Sequence, residues 1–279
     1  MSTTVVAICN QKGGVGKTTV TINLGAAFAE LGYSVLLLDL DPQGHLTEGV
    51  GLRDYYDRED VSLYEQLING KGTIADLIIK PEHESFYVIP TNYQMMLAEQ
   101  SLFMSRNREH RLRHMLSKLP HTFDWILLDC PPTLGNLTDN ALNAAQKVVI
   151  PVQAESTSLR ALDLLFDQIE SIEQGLGIQI EKLAVVPNLV QDSTISKRTL
   201  EDLRTHVPHV TPFELRKRVI LQNAWDEGRS IFKHGATKPD QVKAKREVVE
   251  DYIRLARFVL MRTEGEETPW TQERRESRP

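Results

Sequence analysis

One stretch near the start of the 279-residue chain constrains everything that follows: Val5-Val6-Ala7-Ile8-Cys9-Asn10-Gln11-Lys12-Gly13-Gly14-Val15-Gly16-Lys17-Thr18-Thr19. Its apolar start reads as a buried strand, its glycines as a turn, and the segment from Lys17 as a helix. That order is the layout of a phosphate-binding loop. Gly13, Gly14 and Gly16 keep the turn free of Cβ atoms, so successive backbone N–H groups converge in a concave nest. The helix behind it adds its unpaired N-terminal N–H groups and the positive end of its dipole. Lys17 then supplies a point charge for the β- and γ-phosphates of a nucleotide, and the Thr18 hydroxyl is placed to ligate Mg²⁺. Val15 and Thr19 complete the cradle.

Composition excludes several classes. Hydrophobic and charged fractions of 41% and 25% are those of an ordinary globular protein, and the length suits one large α/β domain or two small ones. The formal net charge of −6 does not advertise a nucleic-acid binder, so any DNA contact needs a local basic patch. The two cysteines, Cys9 and Cys130, end two expected core strands and read as small buried packing, as in a reducing cytosol. The eight histidines show no metal-ligand spacing. No apolar run is long enough to cross a bilayer, and no signal peptide is read.

Along the chain, strands and helices alternate. A helix is expected from Thr18 to Leu31. The apolar run Val35-Leu36-Leu37-Leu38 suits a parallel strand covered on both faces and leads into Asp39-Leu40-Asp41-Pro42-Gln43-Gly44. Short helices are expected over Val61 to Asn69 and Thr73 to Ile79, a strand over Phe86 to Pro90, and interrupted helix over Asn92 to Leu119. Further strands are expected at Trp125 to Asp129, Lys147 to Val152 and Leu183 to Asn188. Helices are expected at Asn136 to Ala145, at Ser158 to Gln174 (closed by Gly175 and Gly177), and at Thr194 to Val207. An extended piece at Val210 to Phe213 precedes Arg216-Lys217-Arg218 and a loop through Gly228. The last helix starts near Pro239, a favoured first helical position, and ends near Arg262. The pattern predicts one α/β domain over residues 1–262, a doubly wound and mostly parallel sheet flanked by helices, followed by a polar, disordered tail over 263–279.

Hydrolysis of a nucleotide needs metal-holding carboxylates and a group that orients water. Asp129, at the end of an apolar strand, is placed to hold Mg²⁺. Asp39 and Asp41 are two residues apart, so in an extended segment both side chains point to the same face, and at least one is expected to meet the metal. Gln11 stands where the ordinary P-loop has its first glycine, and a second lysine, Lys12, stands just ahead of the glycines. A lysine there can reach across an interface.

Lys12 to Thr19, KGGVGKTT, resembles the deviant P-loop of the ParA/MinD family of ATPases, in particular the small Soj-like ParA proteins. Asp39 to Gly44 resembles their switch I, Asp129 to Gly135 their switch II, and Pro187-Asn188 their adenine-contacting segment. The resemblance extends over about Thr3 to Leu260. It implies ATP and Mg²⁺ as cofactors, a catalytic set of Lys12, Lys17 and Asp41, metal contacts from Thr18, Asp39 and Asp129, and an adenine contact from Asn188. Lys12 would touch the phosphates held by a facing subunit, so that ATP joins two copies into a sandwich homodimer. Asp41 would position the attacking water.

Two outputs occur in the resembled family. MinD-like members bind membranes through a C-terminal amphipathic helix, whereas this C-terminus is acidic, broken by Pro269 and poor in apolar residues, so no stable membrane anchor is expected. ParA-like members bind DNA non-specifically. The candidate patch here is Lys197, Arg198, Arg216, Lys217 and Arg218, expected to lie away from the phosphate edge. ParA proteins often carry an arginine where Ile220 stands. The P-loop strand begins within a few residues of Met1, so an N-terminal helix-turn-helix is not expected. The resemblance implies a cytoplasmic ATPase, nucleoid-associated when ATP-bound, acting in plasmid or chromosome partition with a ParB-like centromere-binding partner. A MinD-like or other cargo-positioning ATPase is the alternative. Iron–sulfur and ATP-dependent ligase relatives of the fold are disfavoured, because neither a cluster-binding cysteine pair nor a substrate constellation is read.

Overall fold

A computed structural model describes residues 3–58, 62–119, 123–155 and 157–265. Six strands form one sheet: β1 (Thr4–Ile8), β2 (Val35–Asp39), β3 (Tyr87–Ile89), β4 (Trp125–Asp129), β5 (Lys147–Gln153) and β6 (Glu181–Asn188). Their spatial order is β3-β2-β4-β1-β5-β6, and every neighbouring pair is parallel. The helices are α1 (Lys17–Glu30), α2 (His45–Gly49), α3 (Arg53–Tyr56), α4 (Ala98–Phe103), α5 (Arg111–Leu116), α6 (Asn136–Ala145), α7 (Ser158–Leu176), α8 (Thr194–His206), α9 (Val219–Asp226) and α10 (Pro239–Thr263).

The sheet is buried on both faces, which is why its strands read as continuous apolar runs. Alternate residues feed two cores. Leu36, Leu38, Ile126 and Leu128 pack under α4, α5, α6 and α7; Val35, Leu37, Trp125 and Leu127 pack under α1 and α10. α1 lies close on β2, since a Cβ added to Gly25 would stand 2.6 Å from Leu37 Cδ2. Phe28 stacks on Trp125 with ring centroids 4.1 Å apart. Parallel connections place the ends of β1, β2, β4 and β6 along one edge, where open α/β sheets bind ligands.

Several boundaries differ from the sequence reading. The segment expected as loop through Gly228 contains α9. Its buried residues Ile220 and Ala224 lie one turn apart, and the Trp225 Nε1–H donates to the His45 carbonyl at 3.0 Å. Val219 and Leu221, off that buried face, obscure the period. α7 runs past Gly175 to Leu176, and Gly177 alone, at φ 63°, closes it. The helix expected to Ile79 is one 3₁₀ turn, Ile74–Leu77, and Ile79 bridges Val88 antiparallel. The helix ending at Asn69 finishes in a π turn, Glu65–Asn69; Val61, its expected start, lies outside the described residues. α2 and α3 were not anticipated. Residues 266–279, most of the expected tail, also lie outside the described residues.

Candidate nucleotide and metal site

Between β1 and α1 the chain turns through Gly14 at φ 75° and Gly16 at φ 84°, left-handed conformations that side-chain-bearing residues adopt only at a cost. Cβ atoms built on Gly13 or Gly14 would meet nothing within 4 Å. One built on Gly16 would run into the Asn188 carboxamide. Asn188 is buried at the end of β6, and its Nδ2 donates to the Val15 carbonyl at 2.8 Å. Whatever it does for a base, it also braces the loop.

Lys17 is buried, and its Nζ donates to the Lys12 carbonyl at 3.4 Å. Burial lowers its pKa, opposed by the nearby Asp129, Cys130, Asp41 and Cys9. Its ammonium is therefore held where phosphate oxygens would restore its lost solvation. Thr18 Oγ1 donates to Asp129 Oδ2 at 2.7 Å, and Thr21 Oγ1 donates to Asp129 Oδ1 at 3.0 Å. Thr21 escaped the sequence reading, although it sits one turn beyond Thr18 on the same helix face.

Asp39 Oδ2 accepts from Thr47 N at 2.9 Å and Thr47 Oγ1 at 2.7 Å, and its Oδ1 accepts from Asp41 N at 3.2 Å. Thr47 was also missed, because it lies in the unassigned α2. Asp41 Oδ1 accepts from Gln43 N at 3.0 Å, and Tyr56 Oη donates to the Pro42 carbonyl at 2.9 Å. The segment Asp39 to Gly44 is thus a closed turn with Asp41 at its mouth. Burial pushes Asp129 up to about 7 and Asp39 well above the carboxylate range, the Asp129 charge adding to the effect on Asp39. Among the described residues no three His, Cys, Asp or Glu side chains converge on one point. A magnesium ion here would rely on Thr18, Asp129, water and phosphate oxygens, the donor set that Mg²⁺ favours in such sites. Buried carboxylates that resist ionisation without a cation fit that assignment.

Lys12 is not in the nest. Its backbone N–H donates to Asn10 Oδ1 at 3.0 Å, and its Nζ pairs with Glu155 Oε2 at 2.6 Å and donates to Thr157 Oγ1 at 3.1 Å. Its side chain keeps 26% exposure at the rim of the loop.

The basic cluster corrects one expectation. Lys217 N donates to the Val190 carbonyl and Val190 N to the Leu215 carbonyl, both at 3.1 Å, so Arg216 to Arg218 lie beside the chain two residues past Asn188. They stand at the phosphate edge, not away from it, because the extended piece after α8 runs parallel to β6 and ends where β6 ends. Arg216, Lys217, Lys197 and Arg198 are exposed, with Lys197 paired to Asp192 at 2.7 Å. Arg218 is partly buried and donates to Glu247 Oε2 at 2.8 Å.

Residues 3–182 match the AAA domain family AAA_31. The chain is 42% identical over 232 residues to the sporulation initiation inhibitor protein Soj of Bacillus subtilis, covering 82% of this chain and 90% of that protein. It is 34% identical over 273 residues to the chromosome partitioning protein ParA of Myxococcus xanthus, covering 97% and 91% respectively. The chain belongs to the ParA/Soj family of P-loop ATPases. The cofactors of that family are ATP and magnesium. The crystal structure of cobyrinic acid a,c-diamide synthase from Mycobacterium smegmatis, with bound ADP and magnesium, superposes with a TM-score of 0.71 at 34% identity, over 81% of this chain and 91% of that one. The chain spans 60% of the length of two Mycobacterium tuberculosis relatives that it matches at 38% identity.

The nest fits a nucleotide on its own geometry. Cβ atoms on Gly13 and Gly14 would meet no neighbour, and a magnesium ion held by Thr18 and Asp129 would neutralise phosphate charge beside them. The structure brings Lys17, Thr18 and Asp129 together beside this loop.

Proposed function

We propose that the chain is a Mg²⁺-dependent ATP hydrolase that ATP joins into a sandwich dimer, that the dimer binds DNA non-specifically, and that it drives plasmid or chromosome partition in the cytoplasm with a ParB-like partner. Lys17 and Gly13 to Thr19 hold the triphosphate, Asn188 the base, and Thr18 and Asp129 the metal, with Asp39 behind them in its outer shell, while Asp41 orients water. Lys12 releases Glu155 and Thr157 and reaches the phosphates of the facing subunit.

The observation that carries this reading is the position of Lys12. It sits at the rim of the loop in a partly exposed ion pair with Glu155. Exposed pairs contribute at most about 1 kcal/mol, so a facing triphosphate would readily displace it. The partition output is supported by the Soj and ParA relatives. The DNA contact is supported by the exposed Arg216 and Lys217 at the phosphate edge, where a nucleotide-driven dimer would double the patch. Arg218, held by Glu247, is the weakest member of the proposed set.

The test is binding to non-specific duplex DNA with ATP and with ADP at several salt concentrations, together with dimerisation by light scattering. ATP is expected to promote both, salt to weaken DNA binding steeply, Asp41→Ala to prolong it and Lys12→Ala to abolish it. Glu155→Ala is expected to lower the protein concentration needed for the ATP dimer. Dimerisation without DNA binding in any state would reject the DNA output and direct attention to membrane or protein cargo. ATP-independent association, unchanged in Lys12→Ala, would reject the switch itself.

A further inference from the structure

Five of the nine exposed large apolar side chains among the described residues fall between positions 93 and 104: Tyr93, Met96, Leu97, Phe103 and Met104. They lie on one face of a continuous helical segment, a 3₁₀ turn over Tyr93–Leu97 that runs into α4. Met96 and Leu97 are followed two turns later by Phe103 and Met104. Met95, Ala98 and Leu102, on the opposite face, are buried in the core. Phe103 and Met104 are 66% and 80% exposed. A contiguous apolar face of this kind marks an interaction surface, and methionine adapts readily to a partner's shape.

The segment that follows the face is basic. Residues 105–118 hold Arg106, Arg108, Arg111, Arg113 and Lys118 against the single carboxylate Glu109, in a chain whose net charge is −6. Arg108 is taken by Glu109 at 2.9 Å, and Arg111 donates to the Ile68 carbonyl at 2.7 Å. Arg106, Arg113 and Lys118 are exposed and make no ion pair among the described residues. α4 and α5 both pack on α6, and Arg108, in the turn between them, lies over the Phe103 ring with its guanidinium carbon 5.4 Å from the centroid. A second copy in twofold contact would set this basic segment against itself. Charge complementarity favours an acidic occupant.

The same short helix reaches the N-terminus of α6. Glu99 Oε2 accepts from Asn136 N at 2.8 Å, and its Oε1 accepts from Leu137 N at 3.0 Å, satisfying the first N–H groups of α6. A Cβ on Gly135 would stand 2.7 Å from Glu99 Oε1, so the cap sits against bare backbone. The segment between this cap and the metal-site carboxylate is only Cys130 to Gly135.

We propose that the face formed by Met96, Leu97, Phe103 and Met104, with the basic residues Arg106, Arg113 and Lys118 that follow it, docks an acidic amphipathic segment of a partner protein. Docking acts on the nucleotide site through Glu99, a positioning residue that ties α4 to the segment following Asp129. The docking itself does not depend on the DNA or partition reading.

The experiment uses the full chain with two designed amphipathic peptides of about eighteen residues, long enough to hold a helix on a surface. They share a leucine face and differ only in carrying glutamate or lysine on the other. The glutamate peptide is expected to bind at least about tenfold more tightly than the lysine peptide. Phe103→Glu with Met104→Glu, and separately Arg113→Glu with Lys118→Glu, are each expected to weaken it about tenfold while leaving Tm unchanged, because all four side chains are exposed. The bound peptide is expected to alter the release rate of a fluorescent ADP analogue in the wild type but not in Glu99→Gln, which still binds the peptide. Equal binding of both peptides, no binding of either, or binding indifferent to the substitutions overturns the proposal. So does patch-dependent sedimentation with phosphatidylglycerol vesicles, or patch-dependent self-association, in place of peptide binding. A peptide that binds identically but alters ADP release equally in Glu99→Gln overturns the coupling.

Discussion

Asp39 and Asp129 are register partners on the neighbouring parallel strands β2 and β4, and both are fully buried. Two carboxylates so placed repel each other and lack water to stabilise them. Each is instead surrounded by donors: Thr47 and the Asp41 N–H around Asp39, Thr18 and Thr21 around Asp129. These bonds moderate the desolvation without removing it, since both groups still bind protons more tightly than free carboxylates.

A pH dependence follows, and its sign is fixed. Between the unfolded value of 3.8 and about 7, the native state holds a proton on Asp129 that the unfolded chain has lost. Stability therefore falls as pH rises through that window, and this contribution is fully present only below it. A Mg²⁺ ion held by Asp129, as proposed above, would take the proton's place and offset the penalty. Thermal unfolding of the nucleotide-free protein is expected to show Tm declining from about pH 5 to about pH 7.5, with the increment given by Mg·ATP growing over the same range. Asp129→Asn is expected to flatten the decline. An increment independent of pH would mean that the pair is already ionised in the free protein.

The loop glycines separate two effects that sequence alone merges. Gly16 is left-handed and its α-carbon faces the Asn188 amide, whereas Gly13 meets open space. Gly16→Ala is expected to cost about 1–2 kcal/mol of stability for the backbone alone, more once Asn188 shifts, and to abolish binding of a fluorescent ADP analogue. Gly13→Ala is expected to leave the unfolding free energy within about 0.5 kcal/mol of wild type and to weaken nucleotide binding only. Equal destabilisation by both would show that the loop's conformation, and not the Asn188 contact, sets its tolerance.

The strand–turn–helix layout of the candidate site was legible because it is local. Strand, glycines, Lys17 and Thr18 are consecutive, and Asp39 and Asp129 each follow an unbroken apolar run that a parallel sheet requires. Thr21 and Thr47 were not legible, because nothing marks a threonine as a carboxylate donor until β2 and β4 are known to be neighbours. The place of Arg216 to Arg218 was misread for the same reason. Distance along the chain says nothing about an extended piece that returns along β6. α9 was hidden because its burial rests on two residues and on a tryptophan that binds the distant His45 carbonyl.

Glu84 shows what such long-range pairing contributes to stability. It is buried ahead of β3, where Oε1 accepts from Ser230 N at 2.7 Å and Oε2 from Ser230 Oγ at 2.9 Å. The next residue, Ile231, donates its N–H to Asn23 Oδ1 of α1 at 2.8 Å. The chain between α9 and α10 is thereby fastened both to the sheet edge and to the helix that carries Lys17 and Thr18. Burial raises the pKa of Glu84 despite the Ser230 bonds and the nearby Lys233 and His83. As with Asp129, its contribution is greatest at low pH and declines as pH rises above the ordinary value of 4.5. Glu84→Ala leaves the buried Ser230 N–H and hydroxyl without their acceptor and is expected to cost about 2–3 kcal/mol in urea unfolding at neutral pH. Glu84→Gln keeps one acceptor oxygen and cannot ionise. It is expected to cost clearly less than the alanine and to abolish the part of the acid-range slope that Glu84 supplies. If the two substitutions cost the same at neutral pH, the ionised carboxylate, and not the shape of the side chain, is what holds Ser230.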